Sequence, residues 1–166
     1  EKDIKQAWAM IRHATRPLIY AGGGVILSDA SKELIKFAET TGIPVATTLL
    51  GLGCIPEDHP LALGMLGMHG QYTSNSAMAE TDLVITLGAR FDDRVTGNVD
   101  TFLTQSKIIH IDIDPSVIGK VKEAHLGIIG NVKDALVLLN KQARKLHVKI
   151  WTNHLKKLQE EHPLPN

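Results

Sequence analysis

Leu18-Ile-Tyr-Ala-Gly-Gly-Gly24, followed by Ser31–Thr41 and then Pro44-Val-Ala-Thr-Thr48, reads as strand, glycine turn, helix, strand. Leu18–Ala21 is a short apolar run suited to a strand buried on both faces. Three glycines follow at once. Ser31–Thr41 carries Leu34, Ile35 and Ala38 at helical spacing. It runs into Gly42, the residue type that closes helices in a left-handed conformation. Such a βαβ unit commits its two strands to run parallel.

The rest of the chain repeats that alternation. Residues 3–15 are predicted as a helix, with Asp3 as cap, Gln6 reaching back, and Ile4, Ala7, Trp8 and Ile11 on the apolar face. Pro17 marks its exit. Residues 49–70 are rich in glycine and have no period. Their Leu, Met and Ile content argues for an ordered, packed segment, with room for a hidden sixth strand. Tyr72–Glu80 reads as a short helix with Ala77 inward, and Asp82–Leu87 as the third strand. A short helical piece is expected near Val99–Leu103. Lys107–Ile113 is the fourth strand, and Pro115 opens a single helical turn. Leu126–Ile129 is the fifth strand. Asn131 is a good N-cap for a helix that buries Ala135, Leu136, Leu139 and Ala143. Trp151, Leu155 and Leu158 mark a last amphipathic helix. The expected class is α/β, with a parallel sheet and helices on both faces.

Composition narrows the function. With 18 basic and 18 acidic residues the formal net charge is zero, which disfavours nucleic-acid and membrane-surface roles. Aromatic residues are 4%, too few for base-stacking platforms. Apolar residues at 43% and charged residues at 22% are ordinary for a globular chain. The single cysteine, Cys54, excludes an internal disulfide framework and fits a reducing, cytoplasmic compartment. No apolar run approaches a membrane span. The chain starts without methionine, opens without a signal peptide, and stops soon after Pro163-Leu-Pro165, so it reads as one piece of a larger protein.

The candidate site lies at the strand ends, where open α/β sheets bind ligands. Gly88-Ala-Arg-Phe-Asp-Asp-Arg-Val-Thr-Gly97 follows the third strand and releases four charged groups. Such charges must pair or bind something. Two readings stand: a ligand site, or a self-paired Arg/Asp cluster that only stiffens the loop. Gly22 and Gly24 fit the start of a dinucleotide fingerprint, but its last position is Leu27, so a tight βα turn is an equal alternative. Asp112 suits ribose hydroxyls or, equally, a cap for the turn after its strand. Asn131 lies beside it, with helix capping as the favoured role. The eight histidines, His69 among them, show no paired-ligand spacing, so no metal site is expected. There is no nucleophile elbow and no P-loop.

The combination is more specific than its parts. Thr47-Thr-Leu-Leu-Gly-Leu-Gly53, His59-Pro-Leu-Ala-Leu-Gly-Met-Leu-Gly-Met-His-Gly70, Gly88–Gly97 and His110-Ile-Asp-Ile-Asp-Pro115, in that order, resemble the central domain of the acetohydroxyacid (acetolactate) synthase catalytic subunit. This is a thiamine-diphosphate enzyme family of branched-chain amino-acid synthesis. The resemblance covers nearly the whole chain. It implies a Rossmann-like three-layer sandwich, with a mainly parallel sheet of about six strands, that holds FAD. It also implies outer domains carrying thiamine diphosphate and Mg2+, a homodimer or tetramer, and a regulatory subunit.

Carried onto matching positions, the resemblance places Gly22, Gly23, Gly24, Thr48 and Leu49 against FAD. It adds Leu66, Gly67, Met68 and His69. Gly88, Ala89, Arg90, Asp92, Arg94 and Val95 would hold its ribityl and pyrophosphate region. Asp112 and Ile113 would meet the adenosine end, with Asn131 and Val132 nearby. The family often has Asp at the position of Asn131, which keeps an acceptor and loses a charge. Arg94, Met68 and Asp93 would border the substrate channel, Arg94 as the carboxylate clamp. The Arg90–Arg94 run favours the FAD-binding biosynthetic type over the catabolic type. No catalytic residue is expected here, because the family's activating glutamate and its metal and diphosphate motif belong to the outer domains. Residues 1–147 are expected to form the cofactor-binding body, and 148–166 an exit helix and linker. Two other readings compete: a cofactor-free spacer domain, against which the Arg90–Arg94 run speaks, and a nicotinamide-dependent oxidoreductase. Leu27, and the lack of an acidic residue ending Val45-Ala-Thr-Thr48, count against the latter.

Overall fold

The computed structural model describes residues 2–66, 71–90, 106–118 and 124–163. The helices are α1 (Lys2–His13), α2 (Gly23–Leu27), α3 (Ser31–Thr41), α4 (Tyr72–Glu80), α5 (Val132–Gln142) and α6 (Lys149–Glu161). The strands are β1 (Pro17–Ala21), β2 (Val45–Thr47), β3 (Ala62–Met65), β4 (Leu83–Leu87), β5 (Lys107–Asp112) and β6 (Leu126–Ile129). A 3-10 turn occupies Pro115–Val117.

The six strands form one sheet in the order β3-β2-β1-β4-β5-β6, and every neighbouring pair is parallel. The expected class and strand number hold, and the hidden sixth strand is β3, inside the glycine-rich stretch. β1 and β4 lie side by side at the middle and are buried along their whole length. Their Ile, Leu and Val residues serve both faces of the sheet, which is why they read as continuous apolar runs.

Helices cover both faces. Ile4, Ala7 and Ile11 of α1, Leu34, Phe37 and Ala38 of α3, and Leu136 and Leu139 of α5 pack against Ile19, Ile85, Ile109 and Ile111. On the other face, Ala77 and Met78 of α4 and Trp151 and Leu155 of α6 pack against Leu18, Tyr20, Val84 and Ile108. The Trp151 indole N–H also donates to the carbonyl of Pro17 at 2.8 Å. Among the described residues no helix is long and apolar enough to cross a membrane.

Local chemistry explains the boundaries. Gly42 closes α3 at φ +85°, with its N–H on Ala38 O. Asn131 caps α5, its Oδ1 accepting from the amides of Lys133 and Asp134. Pro17 is the first residue of β1, where a missing N–H is tolerated. Asp3 departs from expectation. It sits inside the first turn of α1 rather than at its cap, where its charge still complements the helix dipole. Gly22–Gly24 departs too: Gly23 and Gly24 already belong to the five-residue α2, so the turn is confined to Gly22. The Val99–Leu103 expectation lies outside the described residues.

Candidate cofactor site at the carboxyl edge of the sheet

All six strands end at one edge, held in step by main-chain bonds. Leu66 N–H donates to Thr47 O, Thr48 N–H to Ala21 O, and Gly22 N–H to Leu87 O. Gly88 N–H donates to Ile111 O, and Gly130 N–H to Asp112 O. Strand order reverses between β1 and β4, so Gly22 and Gly88 stand at the switch point of an open α/β sheet, the place where such sheets bind ligands.

The glycines there make a close backbone junction. A Cβ on Gly22 would lie 2.5 Å from Gly88 O, and one on Gly24 would lie 2.6 Å from Gly88 Cα. Gly51 folds the loop after β2 over the end of β1, where its Cβ would lie 2.4 Å from Ala21 O. Gly88 itself has φ +59°, which turns the chain sharply at the end of β4. Leu27, at the last fingerprint position, is 90% exposed at the end of α2, so no small residue is required there. Gly24 N–H donates to Gly88 O at 2.9 Å. Of the three glycine amides, only that of Gly23 makes no such tie among the described residues.

The expected site residues fall into three groups. Gly22, Gly23, Gly24, Thr48, Leu49, Gly88, Ala89, Arg90, Ile113 and Asn131 stand at this edge just after β1, β2, β4, β5 and β6, and Asp112 is the last residue of β5. Leu49 is 67% and Ile113 68% exposed, and Leu50 and Ile129 beside them are also open, so the edge carries apolar side chains that the core does not use. Arg90 is exposed. Leu66 follows β3 and Val132 opens α5 after β6, and the side chains of both are buried. Gly67, Met68, His69, Asp92, Asp93, Arg94 and Val95 lie outside the described residues.

Three carboxyl-edge residues have structural duties as well. Asp112 Oδ1 accepts from Asp114 N–H at 3.0 Å, so one oxygen shapes the turn. Asn131 Oδ1 is committed to the α5 cap, the role favoured from sequence. The Thr48 hydroxyl accepts from Gly51 N–H at 3.1 Å and fixes the loop that carries Leu49. Cys54, three residues after Gly51, is buried in the core, and burial pushes its thiol up to about 11, so it stays protonated at neutral pH.

His110, inside the His110–Pro115 motif, is a residue whose role the sequence does not reveal. Its ring is buried in β5, and Nε2 lies 2.8 Å from Ala89 O. A carbonyl can only accept, so Nε2 carries the proton. Burial lowers its pKa from 6.5, against the opposing pull of the Ala89 carbonyl and the Asp112 carboxylate. The available signal was a polar residue inside an otherwise apolar buried strand. The sign of the linkage is clear: an unfolded chain binds the proton at pH values where the folded chain does not. The His110 contribution to stability is therefore retained above pH 6.5 and lost as pH falls below it. A His110→Gln variant is expected to flatten that slope in urea denaturations run from pH 7.5 to 5.

Comparison with known proteins agrees with this architecture. The family described as thiamine pyrophosphate enzyme, central domain, matches residues 4–139. The acetolactate synthase large subunit of Corynebacterium glutamicum is 47% identical, over 98% of this chain and 27% of that protein. The probable acetolactate synthase large subunit of Methanocaldococcus jannaschii is 55% identical, over 81% of this chain and 23% of that protein. Acetolactate synthase 1, chloroplastic, of Oryza sativa subsp. japonica is 45% identical, over 97% of this chain and 26% of that protein. The chain thus spans about a quarter of the length of these relatives. With its sheet order, its glycine junction and a match along most of its length, the chain belongs to the thiamine pyrophosphate enzyme central-domain family and is homologous to acetolactate synthase large subunits.

Proposed function

We propose that this chain is the FAD-binding central domain of an acetolactate synthase catalytic subunit. The observation that carries this reading is the switch-point edge. There the Gly23 amide at the start of α2, exposed Arg90, Asp112 and open apolar side chains share one rim. These residues fit a flavin dinucleotide. Its diphosphate needs a cation and amide donors, its ribose an acceptor such as Asp112, and its rings the apolar faces of Leu49 and Ile113. Arg90 pairs with the diphosphate region, and Gly67, Met68, His69, Asp92 and Val95 extend the same site. Bound FAD supplies no net redox chemistry to the condensation.

In the full enzyme, outer domains hold thiamine diphosphate and Mg2+ and join decarboxylated pyruvate to a second 2-oxo acid for branched-chain amino-acid biosynthesis. Arg94 clamps the carboxylate of that second acid, with Met68 and Asp93 bordering the channel. Residues 1–147 form the cofactor-binding body, and residues 148–166 lead toward a C-terminal domain. The assembly is a homodimer or tetramer with a regulatory subunit, placed in the cytoplasm; the rice relative is named as chloroplastic. This domain alone has no synthase activity.

One observation favours a second reading, a cofactor-free spacer. The amides of Gly22 and Gly24 are spent on the carbonyls of Leu87 and Gly88 rather than left for a ligand. Titration with FAD, followed by flavin fluorescence, separates the two. The expected result is saturable binding that weakens about tenfold in Arg90→Ala and in Asp112→Ala, the scale of one lost charge-assisted bond. Absence of binding to both this chain and the full-length enzyme would support the spacer.

A further inference from the structure

β4 stops at Leu87, and the two carbonyls that follow it are pulled to opposite faces of the sheet. Gly88 O accepts from Gly24 N–H at 2.9 Å, on the α2 side. Ala89 O accepts from His110 Nε2–H at 2.8 Å, on the face covered by α4 and α6. His110 lies in register with Thr86, and Thr86 with Tyr20, so a row of three polar side chains crosses the buried middle of the sheet. Polar groups in such a place cost free energy unless they are hydrogen-bonded. What the His110 ring does is take the place of a ladder bond just beyond the end of β4. The left-handed turn at Gly88 leads the chain out of the sheet, and a β5 main-chain group would otherwise be needed to hold Ala89.

We propose that His110 is a positioning residue for the cofactor edge: its Nε2–H holds the Ala89 carbonyl, sets the direction in which the chain leaves the sheet, and so aims Arg90 at the diphosphate of the dinucleotide. The Gly24–Gly88 bond and the His110–Ala89 bond act as two pins on consecutive peptides. One pin alone leaves the Ala89–Arg90 peptide free to rotate; two fix it before any ligand arrives, which saves ordering cost on binding. The proposal rests on the FAD reading for its ligand, while the latch itself is a property of the free chain.

The test pairs His110→Phe with His110→Gln. Phenylalanine keeps a ring and has no donor. Glutamine places an amide N–H at the same bond distance from the main chain as Nε2. Both are measured where urea denaturation shows them fully folded. Without ligand, the Ala89 carbonyl 13C shift and the exchange rates of the Gly24 and Gly88 amides report the latch. The expected result is a displaced Ala89 shift and faster exchange in the phenylalanine variant, with near-native values in the glutamine variant. FAD affinity is expected to fall about tenfold in His110→Phe and to be largely restored in His110→Gln. Native Ala89 shift and exchange in His110→Phe would overturn the latch whether or not FAD binds. A disturbed latch with native FAD affinity would overturn its role in positioning. Failure of the unmutated chain and of the full-length enzyme to bind FAD would instead count against the function proposed above, with the carbonyl shift still deciding the latch.

Discussion

A Gly88→Ala variant is expected to lose about 3 kcal/mol of stability, a large share of what a domain of this size possesses. Two costs add. The residue sits at φ +59°, where a side chain costs roughly 1 kcal/mol or more. Its Cβ would also lie 2.6 Å from Gly24 Cα and 2.9 Å from Gly24 C, which are main-chain atoms with nowhere to rotate. Relief requires α2 to lift from β4, and that breaks the Gly24–Gly88 hydrogen bond. Gly53→Ala is the control. It shares the left-handed backbone at φ +95°, with nothing within 4 Å of the new Cβ. Its cost is expected to be about 1 kcal/mol, the conformational part alone. Urea denaturation of both variants measures the difference. Equal losses would mean that the close approach at the switch point does not matter.

Trp151→Ala is expected to cost about 4 kcal/mol, the range for removing a buried indole. Trp151 is 3% exposed in α6 and packs against the face of the sheet that carries Leu18, Tyr20 and Ile108. Its removal also strands the Pro17 carbonyl. Trp151→Phe should recover much of the packing but not the hydrogen bond, giving a loss of about 2 kcal/mol. Because α6 lies on the sheet face away from α3 and α5, both variants should keep native amide shifts in those two helices. A Trp151→Ala variant as stable as the parent would show that α6 contributes nothing to this face.

The fold was legible because its strongest signals are local. Long apolar runs gave the buried strands, Gly42 and Asn131 gave helix boundaries, and alternation gave a parallel sheet. β3 was harder. Ala62–Met65 is a four-residue edge strand with a glycine inside it, so it has neither a long apolar run nor a clean period. α2 was illegible for another reason. Gly-Gly-Val-Ile-Leu has poor helix propensity, and the helix is held by tertiary ties from Gly24 to Gly88. The glycines of the candidate site were found, but their packing duty was not. Whether Gly22 and Gly24 open room for a ligand or for another loop depends on what β4 brings beside them, and only the three-dimensional register shows that. His110 is the same case. Its polarity in a buried strand was visible, while its partner, the Ala89 carbonyl, is set by where Gly88 turns the chain.

In the function proposed above, the carboxyl edge of this sheet receives a flavin dinucleotide. The most direct measurement is a titration of the 15N-labelled chain with FAD, read amide by amide. A flavin site at this edge predicts saturable shifts at Gly23, Leu49, Arg90, Ile113 and Asn131. It predicts none at Thr15, Arg16 and Asp82, which tie the opposite edge together through the Asp82 carboxylate. Absence of saturable shifts at the carboxyl edge, or shifts centred on Thr15 and Asp82 instead, would contradict it.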